Sequence, residues 1–128
     1  MSKPKTEKDY VSFIRRCIEK YQGPLLLSAY TIVIRKNKED YYLACQHRYP
    51  YNDGIVIYSD RSYRDWLEEP ASYHERKILH ELCHLITDPL YTKATTQFTS
   101  RGEIEDEREK LTDHVAVMVH KLMGEPCD

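Results

Sequence analysis

Between Ser72 and Asp88 the chain repeats its apolar residues at the spacing of an α-helix. Ile78, Leu79, Leu82, Leu85 and Ile86 fall at i, i+1, i+4, i+7 and i+8. Such a segment must lay one stripe on a core and leave another stripe free. Ser72-Tyr73-His74-Glu75 has the pattern of a capping box at its start, and Asp88-Pro89 is expected to stop it. The free stripe carries His80 and His84, four residues apart and nearly superimposed along the axis. A fold that buries the apolar stripe therefore presents two imidazoles side by side.

Other segments supply the partners for that core. Tyr10, Val11, Phe13, Ile14, Cys17, Ile18 and Tyr21 predict an amphipathic helix over 8–21, ended by Gly23-Pro24. Leu25 to Arg35 is rich in β-formers and predicts a first strand. A polar turn at Asn37–Asp40 leads to a second strand over Tyr41–His47. After the loop Tyr49–Gly54 comes a third strand, Ile55–Tyr58. A short helical turn is expected near Tyr63–Leu67. Residues 90–100 are expected to form a loop. A second capping box, Ser100-Arg101-Gly102-Glu103, opens a long helix closed by Gly124 and Pro126. In that helix Leu111, Val115, Met118 and Leu122 make the larger apolar stripe, and Thr112, Ala116 and Val119 a smaller one. The whole predicts a single α+β domain over 1–128.

Composition limits the function classes. Leu, Ile, Val and Phe make up about 22% of the 128 residues, just above the ~20% below which charged chains stay disordered. Nineteen Lys+Arg against 21 Asp+Glu give a net charge of −2, so no nucleic-acid partner is expected. No apolar run approaches the ~20 residues of a membrane span, and no membrane partner is expected. Met1–Asp9 lacks an apolar segment, and the four cysteines form no C-x-x-C pair. We therefore expect a cytoplasmic protein with reduced thiols.

His80-Glu81-Leu82-Cys83-His84 is an H-E-x-x-H pentapeptide. On a helix its two histidines can hold one zinc ion (Zn2+), with Glu81 turned off the ligand line to take a proton from water on the metal. A His₂-carboxylate set also accepts manganese or iron. A third protein ligand is required. Thr87 and Leu90 stand where the metzincin pattern has glycine and histidine, so that pattern does not supply it. The candidates are the glutamates at the start of the last helix. Glu109 and Glu105 precede the stripe of small residues Thr112 and Ala116, along which another helix can approach closely. Glu107 precedes the larger stripe. Asp113 shares a face with Glu109 and can accept a hydrogen bond from the outer nitrogen of a metal-bound histidine. Glu109 is the preferred ligand, with Glu105 and then Glu107 as alternatives. Tyr91 and His114 are weighed as stabilisers of an oxyanion, and Tyr49-Pro50-Tyr51 as part of a substrate groove.

These residues carry a family resemblance. His80-Glu81-Leu82-Cys83-His84 followed by Glu109-Lys110-Leu111-Thr112-Asp113-His114-Val115-Ala116 resembles the gluzincin metallopeptidases, in particular the minimal prokaryotic and phage-encoded ImmA/IrrE type. In that type the second helix reads Glu-x-x-Ala-Asn-x-Phe-Ala, so Thr112, Asp113 and Val115 depart from the pattern. The resemblance implies a zinc-dependent endopeptidase acting on a protein or peptide, with an origin in phage or mobile DNA. It also implies that the strand Ile55–Tyr58 is an edge along which an extended substrate pairs. A metal-binding regulatory or interaction module without turnover is the alternative on the same fold.

Overall fold

The computed structural model describes residues 5–39, 42–47, 52–94 and 101–123, apart from the side chains of 89–94, 101, 103 and 107. The elements run α1 (Glu7–Gln22), β1 (Thr31–Lys36), β2 (Ala44–His47), β3 (Asp53–Tyr58), α2 (Asp60–Glu68), α3 (Ala71–Ala94) and α4 (Arg101–Met123). This is an α+β fold with a three-stranded mixed sheet. No helix among the described residues is long and apolar enough to cross a membrane.

Helix α1 follows from its periodicity. Tyr10, Phe13, Ile14, Cys17, Ile18 and Tyr21 are all buried, and full burial of a large apolar side chain contributes ~1.5–3 kcal/mol before entropy is set against it. Thr6 and Asp9 close a capping box that satisfies the first amides. The chain then makes a tight turn instead of entering a strand at Leu25. Leu27 N–H bonds the Gln22 carbonyl, and exposed Leu26 takes a positive φ of 60°. Leu25 and Leu27 still bury, so their apolar character serves the turn, and β1 begins at Thr31.

In the sheet β3 is central, parallel to β1 and antiparallel to β2. The expectation that Ile55–Tyr58 is an edge is therefore wrong. Its alternating burial reflects side chains directed in turn to the two faces of the sheet, and β2 is the edge strand that lies against α3. Gly54 permits the close approach of sheet and helix. A Cβ there would stand 3.0 Å from Leu85 Cδ1.

β2 begins at Ala44 and not at Tyr41, β3 begins at Asp53 and not at Ile55, and the helices also depart from the sequence expectation. The turn near Tyr63–Leu67 is a nine-residue helix, α2, opened by a capping box between Ser59 and Ser62. Helix α3 starts at Ala71, because the Pro70 carbonyl accepts from His74 N–H, so Ser72 lies inside the helix and is not its cap. Glu75, assigned to that capping box, turns inward instead. It is fully buried and accepts from Lys20 Nζ at 2.7 Å and Tyr21 Oη at 2.8 Å, tying α3 to α1. At the other end α3 runs through Pro89 to Ala94. A proline removes one backbone donor, and the helix continues past that loss to Ala94. The expected loop therefore has its first residues, 90–94, in α3; residues 95–100, the cap at Ser100, the loop Tyr49-Pro50-Tyr51, Cys127 and the Gly124/Pro126 stop lie outside the described residues. Cys17, Cys45 and Cys83 are buried free thiols.

The two stripes of α4 exchange roles. Thr112 and Ala116 are fully buried against α3, whereas Leu111 (46%), Met118 (49%) and Leu122 (82%) are substantially exposed. Small side chains let the two backbones approach, and the larger stripe is left facing away.

Candidate metal centre

Helix α3 places His80 and His84 one turn apart with ring centroids 5.1 Å from each other. One ligand atom from each of His80, Glu81 and His84 lies within 4.8 Å of the others, which makes this trio a candidate metal site. Helix α4 adds a carboxylate. Glu109 Oε2 is 3.2 Å from His80 Nε2, and Glu109 Oε1 is 3.4 Å from His84 Nε2. Donors held 2.0–2.1 Å from a tetrahedral ion stand roughly 3.3 Å apart. Each imidazole therefore stands from the Glu109 carboxylate at the spacing of such a set, and two imidazoles with a carboxylate are chemically suited to zinc.

The outer ring nitrogens also face acids. His84 Nδ1 is 3.0 Å from Asp88 Oδ1, and His80 Nδ1 is 3.5 Å from Asp113 Oδ1. A carboxylate at Nδ1 favours the tautomer that carries its proton there and leaves Nε2 as the lone-pair donor. Both rings thus turn Nε2 toward Glu109. Burial alone would lower the His84 pKa, but the Asp88 hydrogen bond and the charges of Glu81, Asp88 and Glu109 outweigh it and raise the value. Arg108 offsets part of the acidity, with Nη2 3.6 Å from Glu109 and Nη1 3.8 Å from Asp88.

Glu81 sits differently. Its carboxylate faces the Cys45 backbone amide of β2. Burial pushes its pKa up to about 7, with further increase from Glu109 and Asp88, against the lowering by His84 and the Cys45 amide. A carboxyl near neutrality, anchored beside two imidazoles, is suited to moving a proton.

Of the residues weighed from sequence, His80, Glu81, His84, Glu109 and Asp113 come together. Glu105 lies one turn before Glu109 on α4 and is half-buried. Glu107 and Tyr91 lie on their helices with side chains outside the described ones, and His114 is exposed on α4. Sequence reasoning missed Asp88 and Arg108. Asp88 stands four residues after His84, a spacing that puts both on one helical face, but the Asp-Pro pair read as a stop signal hid it.

A cavity of about 230 Å³ opens beside His80 and Glu81, bounded by Tyr42 and Leu43 ahead of β2 and by Tyr73, Arg76 and Lys77 on α3. Compared with protein-family models, with curated proteins and with solved structures, the chain matches none.

Proposed function

We propose that this chain is a zinc-dependent endopeptidase in which His80, His84 and Glu109 hold the metal and Glu81 is the general base. The observation that carries this reading is the convergence of both Nε2 atoms on the Glu109 carboxylate, at 3.2 and 3.4 Å, with an acid behind each ring. When bound, zinc would polarise a peptide carbonyl and acidify water.

The chain's own groups account for the rest of the chemistry. Glu81 accepts a proton from the attacking water and delivers it to the departing amine, which avoids expelling an amide anion. The Cys45 backbone amide faces the Glu81 carboxylate and favours its ionised form. β2 is an edge strand with β3 on one side only, so its outer backbone groups face away from the sheet. A substrate would then lie along β2, not along β3 as the resemblance suggested, and main-chain pairing there needs no particular side chain. The chemistry of an H-E-x-x-H helix facing a glutamate helix also supports the likeness to gluzincins stated above.

The test is hydrolysis of an unfolded protein by the zinc-reconstituted chain, beside Glu81→Gln. Loss of a general base typically costs 10²–10⁴-fold in rate. Parent cleavage that a chelator stops, together with Glu81→Gln that keeps its zinc and loses turnover by about that factor, supports the proposal. Glu81→Gln cleaving at the parent rate overturns the base assignment. Loss of zinc from Glu81→Gln would instead make Glu81 a ligand. One bound zinc with no cleavage of any protein or peptide favours the non-catalytic metal module.

A further inference from the structure

The cavity beside His80 and Glu81 has an uneven charge distribution. Tyr73, Arg76/Lys77 and His80/Glu81 follow one another at helical spacing, so one stripe of α3 forms both the cavity wall and the start of the metal site. Lys77 is already committed. Its ammonium donates to Glu69 Oε1 and Oε2 at 2.9 and 2.8 Å and to the Tyr42 hydroxyl, and it lies between the rings of Tyr42 and Tyr73, 4.8 and 4.6 Å from their centroids. Asp113, on the opposite wall, is held at His80. Arg76 is exposed and has no hydrogen-bond or ion-pair partner among the described residues. Its guanidinium is the charge of the cavity lining left uncompensated.

Size and shape fix what can enter. About 230 Å³ falls below the ~300–1,000 Å³ of pockets that enclose a whole small ligand. It suits one side chain or one chain end. Tyr73 and buried Leu43 offer apolar surface to a short methylene stem, and Arg76 offers a planar fork of donors that matches a carboxylate.

We infer that this cavity is a substrate subsite selecting a carboxylate next to the cleaved bond, with Arg76 as the residue that reads it. The inference rests on the endopeptidase reading for the position of that bond, and its binding component can be measured without turnover. The carboxylate can come from a Glu side chain within a peptide or from a free C-terminus. Both present the same group to Arg76.

The experiment uses the full chain carrying Glu81→Gln, reconstituted with zinc. Binding is read by fluorescence anisotropy of labelled seven-residue alanine-leucine peptides. One set scans Glu, Gln or Lys through the internal positions, and the other compares a free with an amidated C-terminus. An exposed charge-assisted contact is worth up to ~1 kcal/mol, about fivefold in affinity. We expect Glu-containing or free-acid peptides to bind about fivefold tighter than their neutral partners. Arg76→Gln should abolish that preference, and Arg76→Glu should transfer it to Lys peptides. Preference for the free C-terminus alone assigns the subsite to a chain end and still supports it, with cleavage there releasing the terminal residue instead of cutting within the chain. Equal binding of acidic and neutral peptides, no binding of any, or a preference that survives Arg76→Gln would overturn it. Cleavage of the same peptides by the parent protein is followed separately. An Arg76-dependent preference without cleavage removes the peptidase reading and keeps the subsite, and cleavage without that preference does the reverse.

Discussion

The hydroxyls of Thr87 and Thr112 meet at 2.8 Å inside the buried interface between α3 and α4. Thr112 Oγ1 also donates to the Arg108 carbonyl at 2.7 Å, and Thr87 Oγ1 lies 3.4 Å from the Cys83 carbonyl, so each hydroxyl also reaches a backbone carbonyl of its own helix. This contact sets the separation of the helices one turn away from Glu109. Two small, mutually satisfied side chains let the Glu109 carboxylate reach the imidazoles of the neighbouring helix.

Substitutions at Thr112 should separate stability from metal affinity. Thr112→Val removes the hydroxyl at nearly constant volume and should cost ~1 kcal/mol, seen as an earlier denaturant midpoint, while zinc affinity stays near the parent value. Thr112→Leu overpacks the interface, should cost ~1–3 kcal/mol, and should weaken zinc binding about tenfold or more by displacing Glu109. Parent-like zinc affinity in Thr112→Leu would show that helix separation does not govern the site.

His80→Ala and His84→Ala should each lose most of their zinc and the stability that zinc confers. Binding to the folded state alone adds ~4 kcal/mol at a thousandfold excess over Kd. Elemental analysis and thermal unfolding with and without zinc check this. Identical metal content and melting temperature in the parent and both variants would remove the metal site.

The acids rank by what each touches. Glu109→Gln should weaken zinc binding by more than the ~10–100-fold typical of residues behind the ligands. Asp88→Asn should fall within that range, and Asp113→Asn at its lower end, since Asp88 lies 3.0 Å from its histidine and Asp113 lies 3.5 Å from its own. Glu105→Gln should bind as the parent does. Competition against a chelating dye measures all four. A large loss in Glu105→Gln with normal Glu109→Gln would move the ligand one turn toward the start of α4.

Acid should destabilise the fold through His74. This residue is fully buried, with Nε2 2.8 Å from the Tyr10 hydroxyl and Nδ1 2.5 Å from Glu69. Burial lowers its pKa below the usual 6.5, and the hydrogen bond to Glu69 only partly opposes this. The unfolded chain therefore gains a proton first, and stability falls as pH drops through 6.5, levelling off below the folded value. Glu69 acts in the same direction below 4.5: burial raises its pKa, but the hydrogen bonds from Lys77 and His74 outweigh that and lower it. In zinc-free protein His84 and Glu81 oppose both, since their raised values contribute stability at low pH that is lost as pH rises through them. The readout is therefore a difference. Urea midpoints between pH 7.5 and 5 in chelator should fall less steeply for His74→Gln than for the parent. Equal slopes would show that His74 titrates normally.

The sequence alone determined what a single helix settles. The i, i+4 histidines, the apolar stripes and the core face of α1 follow from a 3.6-residue period that every helix obeys. The existence of three strands followed from β-branched runs, and the small stripe of Thr112 and Ala116 already favoured Glu109 over Glu107. Tertiary structure decided whatever depends on a neighbour from elsewhere in the chain. Local signals at Ser72 and Pro89 were overridden, because the Pro70 carbonyl opens α3 and the helix continues past the proline to Ala94. Strand order cannot be read from strand composition, since β3 becomes central only through pairing on both sides with β1 and β2. Asp88 acts on His84 only because α3 continues through that turn. Glu109 reaches both imidazoles because α4 turns its small residues, and not its large apolar ones, toward α3. Close packing rewards the face that lets two backbones approach, and which face that is depends on the partner surface.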